Sequence, residues 1–351
     1  MRYPLVVVVV LLGHLCRHVH GFVGIAPQGR RGIIRLRCLE SLDDQKITKL
    51  PRLLLRTGAL RLVENGVVQL TDEQSHYVTK VMRLGGKRRS KSFLRVFNGV
   101  DGEWLAGLEV LQDGGASGRR NRRVAVQARC IRQLRPQEAE EEGPWLFFAP
   151  IKKPRVKLLL EKGTELGASR FVPVITDRTD AGSMRDCSGE KNLDKLASQI
   201  VEASEQCERL TVPKLATQLH DVPGDDDDDD VLHTVSVADL LQQWQDMDER
   251  HLLICRERSA ETSLPVLDQL RSLQAKSTTA TTASLRVGFL VGPEGGWSME
   301  EESLMDEISR VSDLVHCVSL GSLVLRAETA AMVALSAFSL HADSTPAQDL
   351  N

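Results

Sequence analysis

Residues 287–298 constrain the fold more than any other stretch of this 351-residue chain. Val287–Val291 is an unbroken apolar run, the pattern of a strand buried on both faces. Gly292–Pro293–Glu294–Gly295–Gly296–Trp297–Ser298 follows at once, and Ser298 with Glu301 fits the capping box that opens a helix at Met299. A strand running through a glycine-rich loop into a helix puts that loop at the strand's carboxyl end, where open α/β sheets place ligands. The glycines permit close approach of backbone to a ligand. The loop lacks the Lys–Ser/Thr ending of a P-loop and the spacing GxGxxG. Alone, it reads first as a tight strand-to-helix turn.

The rest of the second half repeats the alternation. Trp145–Ala149, Arg170–Ile175, Leu252–Cys255 and Cys317–Leu320 read as strands, Pro154–Leu166 and Leu193–Arg209 as helices, and an Ala-rich helix runs on to about Leu340. This predicts an α/β domain over 144–342 with a largely parallel sheet covered on both faces. His220–Asp248 and Gln274–Ser284 read as insertions or surface loops. Residues 50–135 are different. Short apolar segments at Gly66–Leu70, Ser92–Asn98, Glu103–Val110 and Arg123–Ile131 are separated by turns at Asn98–Gly99 and Asp113–Gly115, with a helical pattern over Tyr77–Leu84. A small β-barrel fits, joined by the acidic, proline-bearing linker Pro136–Pro144.

The net charge of -3 hides a regional contrast. Asp225–Asp230 is an acidic run that reads as a solvated loop. The barrel region instead carries Lys87, Arg88, Arg89, Lys91 and Arg95, then Arg119, Arg120, Arg122, Arg123, Arg129, Arg132 and Arg135. Such clusters can neutralise phosphates and release counterions on RNA binding, or can simply be solvated faces. The seven cysteines (Cys16, Cys38, Cys130, Cys187, Cys207, Cys255 and Cys317) include no CxxC pair, so no zinc site or disulfide framework follows. Residues 1–45 read as a presequence. Arg2 and the apolar run Leu5–Leu12 suit a signal core, Val19 and Gly21 precede a cleavage site at Phe22, and Arg30, Arg31, Arg35 and Arg37 follow without an acid. That order resembles the bipartite presequences of plastids, with the mitochondrion as the alternative. The mature form is expected to have no membrane segment.

Three further segments carry polar residues in apolar settings. Lys157–Gly167 is an amphipathic helix with Lys162 and Glu165 on one face, and Glu202, Glu205 and Arg209 share a face of the next. Val318–Ala331 ends a strand at Gly321, crosses an apolar loop and enters the Ala-rich helix, with Arg326 and Glu328 as its polar exceptions. Each alone reads as surface pairing.

Taken in order, EKGTELG, EASEQCER, VGPEGGWS and LGSLVLRAETAA resemble the small-subunit rRNA uridine-N3 methyltransferases of the RsmE type, in the SPOUT superfamily. The resemblance spans about Pro51 to Phe338 and includes His76–Val78 and Val81–Leu84. It implies a PUA-like RNA-binding barrel before a trefoil-knotted methyltransferase domain, a homodimer, and S-adenosylmethionine held in the knot without a metal. Physics alone would not suggest the knot, since connections almost never thread loops. The resemblance implies donor binding at Leu290, Gly292, Pro293, Glu294, Gly295, Leu320, Gly321, Leu325 and Arg326. It implies RNA contacts at Arg52, His76, Arg83, Lys87, Arg88, Arg89, Lys162 and Arg209. Arg326 is expected to orient or polarise the uracil, with Glu328 fixing Arg326. The expected substrate is the 16S-type rRNA, or assembled small subunit, of an organelle ribosome. A SPOUT enzyme acting on tRNA and a catalytically silent RNA-binding assembly factor are the alternatives. Two departures stand out: after the EQ pair the family usually has Gly then Arg–Asn, where this chain has Glu208, Arg209 and Leu210, and the Asp225–Asp230 run is an unusual insertion.

Overall fold

The computed structural model describes residues 43–55, 61–84, 93–111, 125–137, 143–216, 235–244, 250–256, 263–276 and 285–344. Residues 1–42 of the presequence, Lys87–Lys91, Arg119–Arg123 and Asp225–Asp230 lie outside the described residues.

After a single turn, α1 (Asp44–Ile47), comes a mixed five-stranded sheet of β1 (Arg52–Leu54), β2 (Val67–Gln69), β3 (Phe93–Phe97), β4 (Glu103–Leu111) and β5 (Ala125–Arg135), in the order β1-β3-β4-β5-β2. Only β1–β3 is parallel. Alternate residues, among them Leu94, Val96, Ala106, Val126, Ala128 and Cys130, share one core with Leu53, Val68 and Val78. The helical pattern starts earlier than Tyr77. Thr71 caps α2 (Asp72–His76) in a capping box with Gln74, a π turn follows over Tyr77–Val81, and Arg83 at φ 56° ends it.

The second sheet is parallel throughout, in the order β11-β13-β10-β12-β6-β7-β8, with β9 also paired to β7. Its strands are β6 (Trp145–Phe148), β7 (Arg170–Ile175), β8 (Lys214–Leu215), β9 (Val235–Ser236), β10 (His251–Arg256), β11 (Leu264–Pro265), β12 (Val287–Val291) and β13 (Val315–Ser319). The helices are α3 (Lys153–Glu165), α4 (Ala181–Asp186), α5 (Glu190–Gln206), α6 (Val237–Gln243), α7 (Val266–Lys276), α8 (Met299–Val311) and α9 (Ala327–Ser344). Both faces of the central strands are apolar. Leu146, Phe148, Leu253 and Phe289 pack with α3, α5, α7 and α9, while Phe147, Leu252, Ile254 and Leu290 pack with α6 and α8. This is the expected three-layer α/β arrangement.

Several boundaries differ from expectation. The segment His220–Asp248 is not all loop: it contains β9 and α6, and Trp244 is fully buried, edge-on to Phe147 at 5.2 Å between ring centroids. Its indole donates to the Arg250 carbonyl at 2.9 Å. Within Gln274–Ser284, α7 runs on through Lys276. The helix expected to reach Arg209 stops at Gln206, and Glu208 adopts φ 63°. Arg209 therefore shares no helical face with Glu202 and Glu205.

The two sheets meet through buried charge. Arg52 of β1, 5% exposed, donates Nε to Glu103 at 2.6 Å and Nη1 to the carbonyls of Ser204 and Glu205 at 2.8 and 3.0 Å. Its Nη2 donates to the Arg209 carbonyl at 2.7 Å. The guanidinium thus satisfies carbonyls at the end of α5, where the helix dipole is negative. Arg95 pairs with Glu208 at 2.6 Å, and Arg135 joins Glu103 at 2.9 Å to the Glu208 carbonyl at 2.7 Å. The expected RNA contact at Arg52 is corrected: this side chain is buried in the joint between the sheets.

Candidate active site

Since every strand of the large sheet runs the same way, the carboxyl ends of β10, β12 and β13 and their loops lie along one edge. There Cys255, Arg256, Leu320, Gly321, Leu323, Leu325 and Ala330 wall a small cleft that opens to solvent. Gly321 sits at φ 126°, a conformation reserved for glycine, with open space where a Cβ would stand. Ser319 Oγ accepts its amide at 3.2 Å and holds the turn. Beyond the loop, Ala327, Ala330, Ala331, Ala334 and Ala337 are buried along α9, so small side chains let that helix lie close to the sheet. Burial pushes the Cys255 thiol up to about 12, which keeps it a neutral wall and no nucleophile. Arg256 reaches the cleft already paired, to Asp306 and, at 3.6 Å, to Glu302 of α8.

The Gly292–Gly296 loop lies alongside. A Cβ on Gly292 would stand 2.8 Å from the Trp297 ring, so glycine is needed there to admit a buried indole. Gly296, at φ 70°, donates to the Pro293 carbonyl at 3.0 Å. Arg178 donates to the Gly295 carbonyl at 2.7 Å, and Ser298 both caps α8 and donates to Asp177 at 2.5 Å. Arg155, from the first turn of α3, ties the loop to the other side of the site. It pairs with Glu294 through Nη1 and stands 3.8 Å from the Glu328 carboxylate through Nε.

Of the expected donor-site residues, Leu320, Gly321 and Leu325 line the cleft, while Gly292, Pro293, Glu294 and Gly295 form the adjoining loop. Leu290 is fully buried in the core. Arg326, just before α9, is exposed and Glu328, two residues on, is 7% exposed, so one side chain faces solvent and the other is buried. The expectation that Glu328 fixes Arg326 is therefore corrected: the ion-pair partner of Glu328 is Arg155. Cys255, Arg256, Leu323, Ala330, Arg155 and Arg178 were not among the candidates. A charged residue ending a buried strand, as at Arg256, was the available signal.

The expected RNA contacts are dispersed. His76 and Arg83 are exposed on the small sheet's helical turn. Lys162 pairs with Glu161 and Glu165, both at 2.9 Å. Arg209 donates to the carbonyls of Thr164 and Ala168 at 3.0 and 2.8 Å, fastening the end of α3.

Residues 141–221 and 229–339, more than half of the chain, match the RNA methyltransferase domain family. The chain belongs to that family. The methyltransferase is 28% identical over 277 residues to the ribosomal RNA small subunit methyltransferase E of Rickettsia conorii, covering 79% of this chain and 91% of that protein. Among solved structures it resembles the same enzyme from Neisseria gonorrhoeae bound to S-adenosyl methionine, with TM-score 0.58 and 22% identity over 83% of this chain and 97% of that one. A methyltransferase of Legionella pneumophila in complex with the cofactor SAM gives TM-score 0.57 and 23% identity, covering 83% and 98%. The four ordered motifs and the Rickettsia relative agree on the RsmE type, and the two solved structures share the fold.

Proposed function

We propose that this chain methylates N3 of a uridine in small-subunit rRNA, with S-adenosylmethionine as donor. The observation that carries this reading is the leucine-walled cleft at the carboxyl edge, framed by Gly321 and the start of α9. Its chemistry suits the donor: Leu320, Leu323 and Leu325 offer apolar walls to a flat base, and Gly321 leaves backbone accessible. The cation nearest by, Arg256, is neutralised by Asp306 and Glu302 and so does not repel a sulfonium. When bound, the donor supplies an electrophilic methyl group. The chain's own part is positioning, which can contribute several orders of magnitude. Arg326, exposed beside Leu325, is the cation that orients the uracil and favours its N3 anion. Arg155, bridging Glu294 and Glu328, holds the two donor loops in register.

The same reading includes a trefoil knot, a PUA-like barrel over 50–135, a methyltransferase domain over 144–342 and a homodimer. Exposed Leu323 and Val324, 75% and 59% accessible at the cleft mouth, support a second copy covering it. The arginine-bearing leader supports an organelle ribosome, plastid before mitochondrion, as the setting.

The test is transfer of labelled methyl from S-adenosylmethionine to unmethylated small subunits and naked rRNA, with the product base identified by mass. N3-methyluridine in the small subunit is the expected product. Label in tRNA would move the chain to a tRNA-modifying relative, and intact donor binding with no label on any RNA would leave a silent assembly factor. Arg326→Ala should lower turnover by at least ~100-fold while sparing donor binding, as loss of a group acting on the reacting base does. Unchanged turnover would remove Arg326 from the mechanism.

A further inference from the structure

Among the described residues, the buried carboxylates are supplied with hydrogen-bond donors, with one exception. Glu103 takes Arg52 on Oε1 and Arg135 on Oε2. Glu205 accepts the Leu54 amide, and Glu301 accepts the amides of Asp177 and Ser298 on its two oxygens. Each of these acids has a structural task, at the joint between the sheets or at a helix cap. Glu328 is as buried as they are, but its Oε2 accepts no hydrogen bond among the described residues. Its Oε1 faces Arg155 Nε at 3.8 Å, beyond hydrogen-bond length, and that guanidinium is committed through Nη1 to Glu294.

A buried acceptor without a donor destabilises a fold, and proteins keep few of them. The position of this one suggests its use. Glu328 lies in the first turn of α9, whose amino end favours a negative charge. Leu325 and Ala330, before and after it in the chain, wall the donor cleft, and Glu294, across Arg155, belongs to the glycine-rich loop. The carboxylate therefore stands at the border of the cleft and is not one of its walls. A methyl acceptor arrives beside the donor, on the side away from sulfur, so a group at the border can reach the acceptor. Arg326, two residues earlier and exposed, is the cation assigned above to the uracil. The N3 edge of uracil presents one N–H between two carbonyls, which calls for one acceptor beside a donor. An unsatisfied carboxylate oxygen close to an arginine in the chain has that pattern.

We propose that Glu328 is the catalytic base that takes the N3 proton of the target uridine. This rests on the reading of the chain as a uridine-N3 methyltransferase. The N3–H bond leaves its electron pair on nitrogen and its proton on Glu328 Oε2. That pair forms the new N–C bond while the bond from the methyl carbon to sulfur breaks, leaving a neutral thioether. Glu328 then returns the proton to water. A carboxylate is a weak base toward an imide, so Arg326 has to stabilise the developing N3 anion. Oε2 is closed to solvent in this structure, and the half-buried Arg155 is the charged group against the carboxylate. Entry of the uridine displaces Arg155 from Glu328 while its pairing with Glu294 persists.

The test is single-turnover methyl transfer to small-subunit RNA carrying either uridine or 5-fluorouridine, whose N3 is the more acidic. Glu328→Gln keeps the size of the side chain. It should slow the uridine reaction at least ~100-fold, the usual contribution of a positioned base, with donor affinity unaltered. Without the base, the rate follows the fraction of N3 already ionised. It should therefore rise nearly ~tenfold per pH unit from ~pH 6 to ~pH 8.5, where the wild type stays level. The 5-fluorouridine RNA should restore at least ~tenfold to the variant and change the wild type little. Glu328→Asp, which keeps a carboxylate one methylene short, serves if the amide variant fails to fold; it should be slow yet keep the level pH profile. An equal loss on both RNAs and at every pH would mark a structural role and overturn the proposal. N3-methyluridine formed at the normal rate by Glu328→Gln would overturn the base alone. A wild type that methylates RNA without forming N3-methyluridine would overturn the base together with the reading it rests on.

Discussion

Glu208 shows how a single departure from a family pattern is absorbed. The resemblance implies glycine there, and the backbone at φ 63° is one that glycine adopts without strain. A non-glycine residue in this conformation costs about 1–2 kcal/mol. The Arg95 hydrogen bond holds the Glu208 carboxyl below its ordinary range and offsets part of that cost. Gly292 is constrained for another reason, the Trp297 ring 2.8 Å from any Cβ. Gly292→Ala should destabilise the protein by about 1–3 kcal/mol, as overpacking does, and weaken donor binding; denaturant midpoints and calorimetric titration would show both. His316 gives a pH prediction. Burial, then the neighbouring His251 and Lys276, push it down to about 4, so the fold holds it neutral. Its contribution is complete above the unfolded value near 6.5 and is lost as pH falls toward 4. His316→Gln should flatten that part of the stability profile, measured by urea unfolding between ~pH 7 and ~pH 4.5. The polar pair Arg326 and Glu328 was legible in the sequence, but the partner of Glu328 was not, because Arg155 reaches it only through the packing of α3 on α9.

Among the elements, β6, β7, β10, β12 and β13 were readable to within a few residues, since strands buried on both faces leave long apolar runs, whereas the two-residue strands β8, β9 and β11 were not. The misses came from context. Val237, Leu240, Leu241 and Trp244 follow the i, i+3, i+4, i+7 spacing of a helix, and all are buried. The neighbouring acidic run drew that stretch into a loop reading. Val266, Gln269, Leu270 and Leu273 of α7 repeat the same spacing. Trp244→Ala should cost about 3–5 kcal/mol, the range for truncating a large buried aromatic, because it empties the contact with Phe147 and Gly288. A loss below about 1 kcal/mol in equilibrium denaturation would place α6 outside the cooperative core.

For the whole molecule, the amino-terminal arginines divide into two groups by what they touch. Arg52, Arg95 and Arg135 surround Glu103, itself 2% exposed, and make the joint between the sheets. Nothing in a charge cluster tells a phosphate ligand from a buried carboxylate far along the chain, so the clusters holding Arg95 and Arg135 read as RNA contacts or solvated faces, and the resemblance put Arg52 on RNA. Glu103→Gln should cost about 3–5 kcal/mol, because it strips a buried guanidinium of its counterion. Replacing Arg52 and Glu103 together by Met and Leu should cost less than the single change, a comparison that thermal and chemical unfolding can make. That buried, ionic joint also bears on the proposed choice of target. Its interlocked charges hold the two sheets at a set span, like the jaws of a calliper. Under the proposed function, an RNA held by one jaw would meet the other at a measured distance, so geometry along the RNA would help to select the nucleotide.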